Sequence, residues 1–376
     1  MSVPVALNSY DWYQELLRDH VIFFDQTRDA WLVLGYQEVQ QVLVDHQTFS
    51  SERWVDSDGK LDLAVSASIL GMDPPRHHQL RTLVSQAFTP RVIANLEPRI
   101  VSIVRDLLDS VAEKNAMDLI DDLAYPLPVT VIAELLGVPP EDRELFRRWS
   151  VDIVGVDVNK CLTAIEEFAQ YMQQMIEQRR REPREDLVSG MIHAEVEGEH
   201  LPDVEITGLA RLLLVAGHET TTGLIGNAVV CFDEHPASLQ DVLAHPELWS
   251  SAIEEVLRYR GIVHVNHRVV KVDTVLAGQQ IKAGEAVIPL FSAANLDGRQ
   301  FPNAATFDIR RTPNRHLGFG HGVHFCLGAP LARLEARIAL QMLYERFPGL
   351  HRNRAVSLAV KPSYIVYDLQ HLPVEW

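Results

Sequence analysis

Phe319-Gly320-His321-Gly322-Val323-His324-Phe325-Cys326-Leu327-Gly328 is the stretch that decides how this 376-residue chain is read. It sets one cysteine in a glycine-rich approach loop and follows it at once with a helix-like run, Ala329 to Tyr344. A thiolate is a strong, soft metal donor when its surroundings hold it ionised. Glycines such as Gly320 and Gly328 allow close backbone approach because they lack a Cβ. A helix that begins just after Cys326 offers the sulfur unpaired N–H groups and the positive end of its dipole. Phe319 and Phe325 supply an apolar wall for a flat cofactor. The stretch reads as an axial thiolate for haem iron.

The rest of the chain bounds what surrounds this loop. The residues are 47% hydrophobic and 23% charged, which describes a globular protein and not a disordered one. A formal net charge of −17 argues against nucleic acid or an anionic membrane surface as the main partner. No apolar run approaches the ~20 residues of a membrane span, and Met1 to Ser9 lack a basic n-region and an apolar core. Cys161, Cys231 and Cys326 lie far apart, which suits free thiols in a reducing compartment. A cytoplasmic, monomeric protein is expected, with no membrane and no nucleic acid among its partners.

Helical patterns dominate. Val21 to Phe24 and Trp31 to Leu34 look strand-like, and Gln37 to His46 is amphipathic. Trp54 to Met72 is irregular, with a turn signal at Asp56 to Gly59. Residues 76–88 and 91–114 read as helices whose starts are fixed by Pro74-Pro75 and Pro90, and Leu162 to Arg181 as another. Pro202 to about Phe232 is apolar on nearly every face, the mark of a helix in the middle of a protein. Helix signals continue to Tyr259. Val263 to Val275 and Gln280 to Pro289 are β-rich, and no βαβ rhythm is visible. The expected fold is mainly α: one helix-rich domain over 1–376 with small sheets.

Four further motifs carry chemistry. Inside the buried helix sits Ala216-Gly217-His218-Glu219-Thr220-Thr221. A charge there is costly unless paired or used, and a glycine beside hydroxyl residues can open a helix locally and free a carbonyl. One reading is a proton relay, with Thr220 hydrogen-bonding oxygen and Glu219 feeding protons; the other is a glycine-weakened packing site. His218-Glu219 is not a zinc-protease motif, because position 222 is Thr and not His. Likewise Gly318, Gly320 and Gly322 do not make a dinucleotide fingerprint, which needs another spacing and a strand–helix crossover. Glu255-Val256-Leu257-Arg258 puts a carboxylate and a guanidinium on one helical face, as either a surface pair or a buried pair shared with a third group. His77 and Arg81 in Asp73 to Arg81, Arg268 and His324 are four donors. Together they match the two propionates of a haem, although singly each reads as a solvated cation.

With these residues in view, the chain resembles the cytochrome P-450 family. The Cys326 loop fills every defined position of F-G-x-G-x-H-x-C-x-G. A-G-x-E-T-T (Ala216 to Thr221), E-x-x-R (Glu255 to Arg258), D-P-P-x-H-x-x-x-R (Asp73 to Arg81) and a segment from Ala294 to Arg310 follow the family's order. Leu296 and Gly298 depart from the usual Arg and Pro. Gly261-Ile262-Val263 replaces the frequent Pro-Pro-Val, which leaves His264 to His267 as an unusually polar stretch; His218 fills a position that the family leaves open.

The resemblance implies haem b between the long central helix and the helix after the Cys loop, with Cys326 as the axial thiolate. It also implies a cofactor-binding set of His77, Arg81, Arg268, His324, Phe319, Gly320, Gly328 and Ala216. Glu219 and Thr220 are the expected catalytic acid–alcohol pair, and Glu255, Arg258 and Arg310 the expected structural ion network. The implied activity is O2-dependent hydroxylation or epoxidation of a hydrophobic small molecule. Electrons are expected from a ferredoxin-type partner and its reductase, docked near Arg76, Arg81, Arg333 and Arg337. A peroxide-driven peroxygenase and a non-catalytic haem sensor are the rivals; the acid–alcohol pair and the lack of an output domain argue against them. Specificity is expected from the 54–71 and 150–165 regions, the wall before Ala216 and Ile262 to His267.

Overall fold

A computed structural model describes residues 10–376 apart from 53–68, 86–87, 156, 197, 362 and 364. Most of the irregular 54–72 stretch therefore lies outside the described residues.

The helices are α1 (Tyr10–Asp19), α2 (Tyr36–Val44), α3 (Arg76–Ser85), α4 (Pro90–Val111), α5 (Pro126–Leu136), α6 (Arg143–Val154), α7 (Val158–Arg181), α8 (Leu187–His193), α9 (Asp203–Glu234), α10 (Pro236–Ala244), α11 (Trp249–Tyr259), α12 (Phe291–Ala294) and α13 (Ala329–Arg346). Local chemistry sets many ends. Thr89 caps α4 by accepting the Val92 N–H, with Pro90 at the first helical position. Asp157 and Asp186 cap α7 and α8 in the same way. Gly137, at φ +82°, ends α5 in the left-handed conformation that glycine adopts most cheaply.

The first ten strands are β1 (Ile22–Asp25), β2 (Ala30–Val33), β3 (Phe49–Ser50), β4 (Ala116–Asp118), β5 (Glu195–Val196), β6 (Glu199–His200), β7 (Arg268–Val270), β8 (Thr274–Leu276), β9 (Gln279–Ile281) and β10 (Ala286–Pro289). The main sheet runs β1-β2-β10-β7-β3. Its one parallel pair joins β2 to β10, with Trp31 opposite Val287 and Leu32 opposite Ile288, so residues far apart in sequence close the sheet.

Helix α9 is the axis of the helical part. Its second half, Thr221 to Phe232, is buried without interruption, as a helix apolar all round requires. It packs on α5, α7 and α13, with α4 against the far side of α13. Glycines let partners come near: a Cβ on Gly217 would meet Ile132 at 2.9 Å. Gln37 to His46 becomes α2, and the strand-like runs become β1 and β2, as their patterns predict. Helices α5, α6 and α8 fall in stretches where no element is expected from the sequence.

Candidate active site

The loop before α13 is built to hold Cys326. Its N–H donates to the Phe319 carbonyl (2.9 Å), and Gly320 N–H to the Leu317 carbonyl (2.8 Å). Gly320 and Gly322 have φ of +70° and +72°, a region that costs side chains with a Cβ ~1 kcal/mol or more. At Gly322 space is also closed, since a Cβ would lie 2.6 Å from the Leu43 carbonyl oxygen of α2. Gly328 differs: a Cβ there would meet no protein atom within 4 Å, so its bareness serves something other than protein packing.

Helix α13 has no side-chain N-cap. The first N–H groups, of Gly328 and Ala329, are directed at the Cys326 sulfur, which does the capping itself. Burial pushes the Cys326 thiol up, and those two N–H groups with Arg81 and Arg333 work against it. A cation at the sulfur would complete the shift to thiolate. Arg333 is pinned over the Phe319 ring at 4.5 Å and pairs with Glu254. Phe325 remains 40% exposed, an apolar face with no protein cover.

Four donors gather nearby. His77 and His324 bring their rings within 4.1 Å of one another, and His324 Nε2 sits 3.0 Å from Ser51 Oγ. Burial holds both imidazoles neutral, at about 4 for His77 and about 3 for His324, with neighbouring cations adding to the effect. His77 Nδ1 is buried without a hydrogen-bond partner among the described residues. Arg268 is buried, held by Asn266 Oδ1 (3.0 Å) and the His267 carbonyl (2.7 Å), and burial lowers its pKa to about 10. Arg81 donates to the Phe325 carbonyl, and burial lowers its pKa too. Among the described residues neither arginine has a carboxylate ion pair; the nearest acid, Asp73, is taken by Lys271, Ser50 and Ser51. One buried and one half-buried guanidinium, with an orphaned imidazole nitrogen and no counter-charge, make a cradle for anions. That donor set fits the propionates of a haem.

On α9, Ala216 is exposed although it sits midway along the innermost helix. Thr220, Thr221 and Thr222 hydroxyls donate to the carbonyls four residues back, at 2.8, 3.0 and 2.8 Å. The helix is not broken at Gly217; hydroxyl back-bonds take the place of the opening that its composition predicts. Burial pushes the Glu219 carboxyl up. His218 turns away, its Nδ1 2.7 Å from the Leu214 carbonyl and its ring edge-on to Tyr125, neutral at about 4 because it is buried. His264 is stacked on Tyr367 at 5.4 Å and 3.5 Å from the Tyr13 hydroxyl. The polar 264–267 stretch is thus partly spent within the protein, with Asn266 positioning Arg268.

Behind the loop, Glu255 and Arg258 form a fully buried bidentate pair at 2.7 and 2.8 Å. Arg258 also holds the carbonyls of Asn295, Ala304 and Thr306. The third member is Arg311, 3.2 Å from Glu255, and not the expected Arg310. Arg310 pairs with Asp241 on the surface. A turn explains the swap: Arg311 N–H closes on the Asp308 carbonyl (3.0 Å), which faces residue 310 outward and brings 311 back over the buried carboxylate. Asn295 and Asp297 anchor the departing Leu296–Gly298 loop to Leu317 and Tyr36. The expected basic patch is mostly compensated, with Arg76 on Glu205, Arg333 on Glu254 and Arg337 on Glu97.

The family model described as cytochrome P-450 matches residues 6–138 and 145–353. The chain belongs to the cytochrome P-450 family. Cyclomarin C epoxidase CymV of Salinispora arenicola is 39% identical, covering 89% of this chain and 88% of its own. The P-450 monooxygenase PikC of Streptomyces venezuelae is 39% identical over 99% of this chain and 92% of its own. The structure of CYP109E1 from Bacillus megaterium in complex with testosterone superposes with a TM-score of 0.92 at 40% identity, covering 98% of this chain and 99% of that one. This cytochrome P-450 is therefore a haem-thiolate monooxygenase. Its cofactor is haem b, between α9 and the Cys loop with α13, and it acts on small molecules with O2. Among the described residues no helix is long and apolar enough to cross a membrane.

Proposed function

We propose that Cys326 is the axial ligand of this P-450, that His77, Arg81, Arg268 and His324 hold the haem propionates, and that Glu219 and Thr220 deliver protons on the α9 side. The observation that carries the reading is the Cys326 sulfur at the uncapped start of α13, receiving the Gly328 and Ala329 N–H groups. Haem b, when bound, supplies an iron at which O2 is activated, with thiolate donation favouring O–O cleavage. The chain's part is to hold and move protons. Burial pushes the Glu219 carboxyl up, toward holding a proton. Thr220 Oγ1 lies at exposed Ala216, donates to its carbonyl, and still has lone pairs with which to accept. Gly320 and Gly328 admit the cofactor close to the backbone, and Phe319 and Phe325 give it an apolar face.

The substrate is a hydrophobic small molecule, a class to which the testosterone in the CYP109E1 structure belongs. Electrons come from a separate ferredoxin and its reductase in the cytoplasm, to a monomer of one domain. A groove of about 360 Å³ between α4, α11 and α13 offers the docking surface, with Arg333 and Arg337 among its lining residues. Cys326→Ala tests the ligand assignment. The reduced variant under carbon monoxide loses the red-shifted band of a thiolate-ligated haem; an unchanged band refutes it. A screen for ligand-induced spin-state shifts identifies the substrate.

A further inference from the structure

Residues 360–361 and 368–369 pair with one another beside α9. Val360 and Leu369 form an antiparallel bridge, and Lys361 N–H donates to the Asp368 carbonyl at 2.8 Å. The returning arm lies against the helix: a Cβ on Gly223 would be 3.4 Å from the Tyr367 carbonyl oxygen, and one on Gly226 3.6 Å from Leu369 Cδ1. Residues 219, 223 and 226 share one helical face. Glu219 therefore stands one turn further along the face that this arm covers. Asp368, between Tyr367 and Leu369, is 1% exposed. Its Oδ2 pairs with Lys361 Nζ, and its Oδ1 is buried without a hydrogen-bond partner of good geometry among the described residues. The Lys361 side chain is 40% exposed and so joins this buried carboxylate to water.

We propose that Asp368 and Lys361 are positioning residues for Glu219, forming the solvent-side end of its proton supply. When Glu219 has given its proton to Thr220, water carries one from Asp368 to the Glu219 carboxylate, and Asp368 regains one from water beside Lys361. One carboxyl O–H bond breaks as another forms, and no oxidant or reductant is needed. The inference rests on the acid role given to Glu219 above.

The electrostatics support it. Burial pushes the Glu219 carboxyl up, Asp368 pushes the same way, and Lys361 opposes both. Asp368 is itself pushed up by burial, against Lys361. Two desolvated carboxylates near one another each raise the other's affinity for a proton. His218, also on α9, feels Lys361 but stays neutral and faces Leu214 and Tyr125. Among the described residues no further charged group bears on Glu219.

The haem-loaded protein is titrated by infrared spectroscopy, following the carboxyl band that Glu219→Gln removes. Asp368→Asn moves that titration down in pH and Lys361→Met moves it up, whereas simple loosening of the segment moves both the same way. With NADPH, a ferredoxin and its reductase, and testosterone as probe, Asp368→Asn raises the ratio of peroxide to water formed from O2 about tenfold, toward the ~10²-fold or more typical of losing a proton donor itself. Asp368→Glu restores it. Shifts of one sign or no shift overturn the inference. So does an unchanged peroxide ratio in Asp368→Asn where Glu219→Gln raises it. If Glu219→Gln leaves the ratio unchanged, the acid role itself is wrong.

Discussion

Replacing Glu335 with glutamine should change how the stability of this P-450 responds to pH. Glu335 lies on α13 nine residues after Cys326, is 1% exposed, and its Oε2 has no hydrogen-bond partner among the described residues. Burial alone pushes its carboxyl up to about 8, from an ordinary value of 4.5. Between those values the folded chain keeps the proton and the unfolded chain has lost it. Folded protein therefore binds more protons, and stability falls as pH rises, by at most about 1.4 kcal/mol per unit. From pH 5.5 to 7.5 the loss amounts to about 2.5 kcal/mol; above 8 both states are ionised and the slope ends. Glutamine has similar volume and does not titrate. The stability of Glu335→Gln relative to the natural protein should thus rise by about 2.5 kcal/mol across that window, whatever its offset at pH 5.5. Urea unfolding of the haem-loaded proteins, followed by far-ultraviolet circular dichroism at both pH values, measures it. A difference that stays constant within about 0.5 kcal/mol would show that Glu335 is solvated or paired, and would refute the reasoning.

Other substitutions separate the groups around the site. Glu255→Ala strands Arg258 and Arg311 without their carboxylate and should cost about 3–5 kcal/mol, seen as loss of folded, haem-loaded protein on expression. Arg311→Ala should destabilise clearly, whereas Arg310→Ala, removing a surface pair, should stay within about 0.5 kcal/mol of the natural melting behaviour. Arg268→Leu should weaken haem retention, measured as faster transfer of haem to an apo-globin acceptor, because it removes a buried guanidinium that has no carboxylate of its own. Gly322→Ala should lower the yield of haem-loaded protein, since it combines φ of +72° with a 2.6 Å approach to Leu43.

Reading this chain in one dimension works best where residue type and spacing already contain the geometry. A cysteine between spaced glycines and ahead of a helix announces its role, because the N–H groups that serve the sulfur follow it directly in sequence. A helix as apolar as Leu212 to Phe232 has no stable place except the interior. The Glu255–Arg258 pair is visible as a spacing, but its burial is not, and its third partner depends on a turn that swaps Arg310 for Arg311. Asp368 and Lys361 gave no signal at all. They matter only because a returning arm crosses bare positions on α9, and nothing local in either residue records that crossing. Helix α5 is hidden for another reason: it is buried on most faces and shows no clean stripe, whereas α6, with Phe146, Trp149 and Ser150 on one buried face, is legible in its spacing.

The Cys loop leans on Leu43 at Gly322, and Tyr36 donates to the Arg315 carbonyl across 279 positions of sequence. A ribosome releases the early half of this arrangement long before the late half. Helix α3 and the helix that bears Glu219 emerge while Cys326 is still unmade. The contacts that seat the Cys loop on α2 therefore close the longest loop of the chain, and they can form only once much of its last third has been made.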